Sequence, residues 1–148
     1  MKATHSLLET HVLAREFTEK ITQTRALKSV VVGFYGDLGA GKTSFVQGIA
    51  QALGINIPVA SPTFVLEKIY TLDQTIQNRF SCLVHIDAYR MDSPDEAAHI
   101  DFDEIIVDPQ NLVCVEWPER IASKMPAEHI RIICAFVDEQ TRTFDISE

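Results

Sequence analysis

With 148 residues, 46% of them hydrophobic and 23% charged, the chain is most simply one globular domain with enough apolar material for a substantial core. A formal net charge of −8 argues against a protein that grips nucleic acid by itself, because neutralising phosphates needs a basic face. No apolar run approaches the ~20 residues that span a bilayer, no basic-then-apolar signal opens the chain, and Cys82, Cys114 and Cys134 lie singly in apolar runs, so the expectation is a cytoplasmic protein with reduced core thiols.

Over residues 5–27, Leu7, Leu8, Val12, Leu13, Phe17 and Ile21 recur at three- and four-residue steps. That spacing predicts an amphipathic helix, with Ser6 and Glu9 as its capping box. Residues 29–35 are β-branched and aromatic, the composition of a buried parallel strand. Gly36-Asp37-Leu38-Gly39-Ala40-Gly41-Lys42-Thr43 follows at once and satisfies the GxxxxGK[ST] phosphate-loop pattern. A helical pattern then runs to Leu53, with Gly54 as its stop. The glycines let the backbone aim N–H groups at phosphate oxygens, and the helix start adds its positive dipole end. Lys42 is expected to reach the β- and γ-phosphates of a nucleotide, and the Thr43 hydroxyl to join the shell of a Mg²⁺ ion.

Beyond that helix, Pro58 and Pro62 hold residues 55–64 extended and place Thr63 on a constrained loop, where it is a candidate γ-phosphate sensor or a plain turn hydroxyl. Residues 64–72 and 80–89 read as an antiparallel hairpin across a polar turn at 73–79 that contains Asn78, which makes the sheet mixed. The second strand delivers His85, Asp87 and Tyr89 to one face. Asp87, at its end, is placed to orient water or metal, with His85 and Tyr89 as supports. Ser93-Pro94-Asp95-Glu96 is a helix start, and residues 95–108 an acidic amphipathic helical tract with Ala97, Ile100, Ile105 and Ile106 inward. The stretch 112–120 reads as a short buried strand, terminated by Pro118, that brings Glu116 and Trp117 to its carboxyl end, where open α/β sheets collect ligands, and Glu116 is the second candidate magnesium carboxylate. Alternating segments at 129–137 and 141–146 predict a closing hairpin.

The fold expected is α/β, a three-layer phosphate-loop NTPase-like domain over residues 1–148 with a mixed, partly antiparallel central sheet. Hydrolysis of ATP is the leading chemistry, with Asp87, Glu116 or Thr63 as the candidate catalytic group that orients an in-line water. A small-molecule kinase is the alternative, disfavoured because the chain turns acidic after Arg90 rather than supplying a basic lid. GDLGAGKTSF, SPTF, HIDAYR and VEWPER, in this order and spacing, resemble the bacterial tRNA threonylcarbamoyladenosine (t6A) biosynthesis ATPase family called TsaE or YjeE. The resemblance implies an ATPase needed for t6A formation, working on a TsaD–TsaB transferase complex rather than transferring the group itself, and resetting that complex between cycles. It also implies that Asp37, Leu38, Gly39, Ala40, Gly41, Lys42 and Thr43 bind the nucleotide phosphates and that Thr43 and Glu116 bind Mg²⁺. Asp87 takes the place of the family's essential aspartate and Thr63 that of its switch threonine, and Trp117 falls in its signature. Ala88 stands where a leucine is expected, a packing difference only.

Overall fold

The computed structural model describes residues 1–23, 28–73 and 79–147. Its strands are β1 (Lys2–Thr4), β2 (Val30–Tyr35), β3 (Glu67–Thr71), β4 (Cys82–Asp87), β5 (Asn111–Glu116), β6 (Ile130–Phe136) and β7 (Arg142–Ser147). They form one sheet in the order β1-β7-β6-β2-β5-β4-β3. The inner four, β6-β2-β5-β4, are mutually parallel, and the flanking pairs β3–β4, β6–β7 and β1–β7 are antiparallel. β2, β4 and β5 are buried nearly end to end, as strands covered on both faces are.

One face carries α1 (Leu7–Gln23) and α2 (Lys42–Ala52). Phe17, Phe45, Phe34 and Phe144 interlock there, with ring centroids 5.1 to 5.9 Å apart. Phe34, Phe45 and Phe144 are fully buried, each contributing about 1.5–3 kcal/mol of apolar transfer. At Gly48 the two helices approach so closely that a Cβ would lie 2.6 Å from that of Ala14. The other face is covered by a 3-10 segment at Pro94–Ile100, the short α3 (Phe102–Ile105) and a second 3-10 turn at Pro118–Ile121, packed on Val84, Ile86, Val113 and Val115. This is the expected three-layer α/β architecture with a mixed sheet.

Both expected hairpins are present, but β3 begins at Glu67 rather than at residue 64. Val65 and Leu66 both donate their N–H groups to Pro62 O, and Leu66 has φ 67°, so residues 62–66 turn before the strand starts. Phe64 and Val65 are consequently 83% and 66% exposed. The acidic tract is not a single helix: Asp101, with φ 50°, interrupts it and lets Phe102, absent from the expected inward set, enter the core. β1 was not expected, being only three residues long. The expected continuation of α1 through residues 24–27 and the turn residues 74–78, Asn78 included, lie outside the described residues. Among the described residues, no helix is long and apolar enough to cross a membrane.

Candidate nucleotide-phosphate site

Parallel register brings the site together. Phe34 of β2 and Asp87 of β4 both pair with Glu116 of β5, so the phosphate loop and both carboxylates emerge at one end of the sheet. Between β2 and α2, Gly36 has φ 127°, and a Cβ there would lie 2.0 Å from Cys134 O, so only glycine permits this exit from the strand. Gly41 caps α2 at φ 95° with no side-chain hydrogen bond, and the first turn of α2 holds no acid. The initial N–H groups of an eleven-residue helix thus face the loop without a side-chain acceptor.

Lys42 is 4% exposed. Its Nζ donates to Gly36 O at 2.7 Å and Asp37 O at 2.8 Å and lies 3.9 Å from the centre of the Trp117 ring. Burial holds the ammonium below the usual lysine range, and Glu116, Cys134, Glu119 and Asp87 pull it back up. Trp117 sits in the left-handed region at φ 58°, a costly conformation for a bulky residue, and this sets its ring under the lysine and beside Tyr89, 5.0 Å away.

Thr43 Oγ1 donates to Glu116, at 2.9 and 3.0 Å from its two oxygens. His85 Nε2 lies 2.8 Å from Glu116 Oε1. Asp87 Oδ2 accepts from Thr63 Oγ1 at 2.6 Å and from Ser61 Oγ, while Oδ1 accepts the Tyr89 N–H at 2.9 Å. Ser61 and Thr63 are also 2.7 Å apart, so the loop after α2 is fastened to the aspartate through two hydroxyls.

A cleft of about 760 Å³, the size of a small-molecule site, is lined by Leu38, Gly39, Gly41, Lys42, Thr43, Thr63, Asp87 and Glu116. Asp37 takes part through its carbonyl, and Ala40 differs from the rest: its side chain is fully buried and its N–H donates to Asp37 O at 3.2 Å. Sequence reasoning missed Ser61 and Arg142 as site residues. Arg142 Nε donates to Gly39 O at 2.9 Å, a contact 103 positions apart that no local pattern signals. Ser61 was legible as the hydroxyl two residues before Thr63, a spacing that suits two side chains converging on one acceptor.

Two carboxylates, each 3% exposed, face a single ammonium across this cleft, and the direct partners of Glu116 are a threonine hydroxyl and an imidazole. Such a surplus of buried negative charge beside hard oxygen donors suits Mg²⁺. Among the described residues, no cluster of three His, Cys, Asp or Glu side chains is placed to hold a metal. A cation here would therefore take most of its oxygens from water and phosphate, as Mg²⁺ does.

Residues 4–144 match the family model described as "Threonylcarbamoyl adenosine biosynthesis protein TsaE". Over 127 residues, covering 84% of this chain and 75% of the relative, the sequence is 39% identical to the tRNA threonylcarbamoyladenosine biosynthesis protein TsaE of Bacillus subtilis. It is 36% identical to the protein of that name from Treponema pallidum, with 79% and 81% of the two chains covered. Among solved structures, the crystal structure of Bacillus subtilis YdiB superposes with a TM-score of 0.68 at 29% identity, covering 97% of this chain and 80% of that one.

Proposed function

This chain belongs to the TsaE family of tRNA threonylcarbamoyladenosine biosynthesis proteins, and from that premise we propose that it is a magnesium-dependent ATPase acting in the cytoplasm on a TsaD–TsaB transferase pair. It supports t6A formation without transferring the group. The observation that carries this reading is the uncapped start of α2 facing the cleft that also gathers Lys42, Thr43, Glu116, Thr63 and Asp87.

The open N–H groups of α2 bind the phosphates of ATP, and Lys42 exchanges its two carbonyl acceptors for phosphate oxygens. Thr43 and Glu116 hold Mg²⁺, which when bound offsets charge on the β- and γ-phosphates. Glu116 is already engaged by Thr43 and His85, so its place is on the metal side. Asp87 lines the cleft and is held by two hydroxyls and a main-chain N–H, and the role assigned to it, with Thr63, is to orient the attacking water. Arg142, the arginine lining the cleft among the described residues, spends its guanidinium on the carbonyls of Gly39, Asp138 and Thr141. Among the described residues, no arginine of the cleft is left without such partners to meet the transition state, and turnover is slow until a partner protein completes the site. With a net charge of −8, the chain leaves tRNA binding to those partners.

The test is phosphate release, and multiple-turnover t6A product, with and without the TsaD–TsaB pair. Wild type should hydrolyse ATP slowly alone and faster with the pair, and raise multiple-turnover product. Asp87→Asn should lower hydrolysis by about 10²–10³-fold while nucleotide affinity stays near wild type. Equal hydrolysis by Asp87→Asn, or product formation indifferent to this chain, would overturn the proposal.

A further inference from the structure

His85 is fully buried in the middle of β4, two residues before Asp87 and paired in register with Cys114 of β5. One ring nitrogen, Nε2, lies 2.8 Å from Glu116 Oε1, and the other, Nδ1, is buried without a partner among the described residues. The ring sits over a sheet face where Leu83 and Cys114 are core residues. An orphaned ring nitrogen in such a place carries an uncompensated desolvation cost, and an apolar side chain would fill the space without that penalty. What the imidazole supplies in return is a single directed N–H aimed at one oxygen of Glu116. That N–H settles the tautomer, since Nε2 has an acceptor and Nδ1 has none.

We propose that His85 is a positioning residue for the metal carboxylate: its Nε2–H fixes the orientation of Glu116, so that the side chain meets Thr43 and the cation without searching rotamers. Carboxylates that bind metals are commonly held by such an outer partner, and removing it weakens metal binding by about 10–100-fold. The arrangement makes β4 the strand that places both acids, Asp87 by carrying it and Glu116 by restraining it from the neighbouring strand. The proposal rests on the reading of Glu116 as a magnesium ligand.

The experiment compares wild type, His85→Phe and His85→Gln, each checked by thermal melting, for binding of a fluorescent ADP analogue with and without Mg²⁺. His85→Phe fills the volume without a donor and should lose about tenfold or more of the magnesium-dependent gain in affinity, with magnesium-free affinity unchanged. His85→Gln carries an N–H at similar reach and should recover most of it. A full magnesium gain in His85→Phe, or a folded His85→Gln no better than His85→Phe, would overturn the proposal. A second arm follows the ring nitrogens of histidine-labelled protein by NMR: wild type should show an exchange-protected Nε2–H at His85 that disappears in Glu116→Ala. Should wild type gain nothing from Mg²⁺, the metal reading of Glu116 fails, and this imidazole signal alone decides whether His85 holds the carboxylate.

Discussion

α1 and α2 lie side by side on one face of the sheet, yet their first turns are finished in opposite ways. At α1, the Glu9 N–H donates to Ser6 Oγ at 3.1 Å and the Glu9 carboxylate accepts the His5 N–H at 2.8 Å, so the helix satisfies its own donors and places a negative charge on its positive end. At α2, a glycine stands at the cap, no acid follows, and the first residue is Lys42, whose charge opposes the helix dipole. Against a glycine cap a capping side chain is worth about a few tenths of a kcal/mol, so α2 is left slightly less stable than a side-chain cap would make it. The difference teaches where an anion would be received: α1 meets its own first-turn charge, whereas α2 keeps its start open toward the cleft that both helix starts line.

Four measurements break or sharpen this comparison. The largest effect is expected from Gly36→Ala, because the new Cβ would strike the Cys134 carbonyl, a backbone atom of β6 that cannot swing aside. A loss of about 3–5 kcal/mol in urea unfolding is expected, together with loss of phosphate binding as the loop is pushed from α2. Next, Gly48→Ala forces a methyl to within 2.6 Å of Ala14 Cβ and 3.0 Å of His11 Cα, which drives α1 and α2 apart. It should cost about 1–3 kcal/mol while ADP still binds, separating helix packing from the open helix start. Ser6→Ala removes the cap of α1 and should cost about 1 kcal/mol by thermal or urea unfolding. Ser6 also lines the cleft, so ADP affinity measured on the same variant reads how far the start of α1 contributes to the site.

The phosphate loop, the strand before it and the helix after it were legible because their signals are local: glycine spacing, a β-branched run and a helical period within one short stretch. Asp87 and Glu116 could be placed because each ends an apolar strand, and parallel pairing of those strands puts their ends together. Contacts set by tertiary approach were not legible. Nothing near Gly39 in sequence announces Arg142, nothing in VEWPER fixes Trp117 at positive φ beneath Lys42, and no periodicity marks Asp101 as the break that turns Phe102 inward. Of the three cysteines expected in the core, Cys114 and Cys134 are buried and Cys82 only partly so. Burial pushes the Cys134 thiol up to about 12 and raises that of Cys114 as well.

The smallest expected effect concerns the charge that α2 carries at its open end. Burial is the first cause of the lowered lysine pKa, and the carboxylates only partly offset it, so the folded chain gives up the Lys42 proton at lower pH than the unfolded chain does. Between the folded pKa and the unfolded value of 10.5, the unfolded state therefore binds more protons, and stability contributed by this group rises with pH. Below the folded pKa both states hold the proton and the full cost of burying the ammonium remains. The rise overlaps the opposite trend of Cys134, whose raised pKa makes stability fall as pH climbs from 9.0 toward about 12. Lys42→Met removes the lysine contribution, and the same comparison in a Cys134→Ala background removes the thiol, whose pKa the ammonium itself lowers. Urea midpoints measured in both backgrounds from neutral pH to about pH 10 should show the difference that Lys42→Met makes moving in favour of Lys42 as pH increases. A difference constant across that range would mean that the ammonium is as well solvated in the fold as in the open chain, and the contrast between the two helix starts would then rest on hydrogen bonding alone.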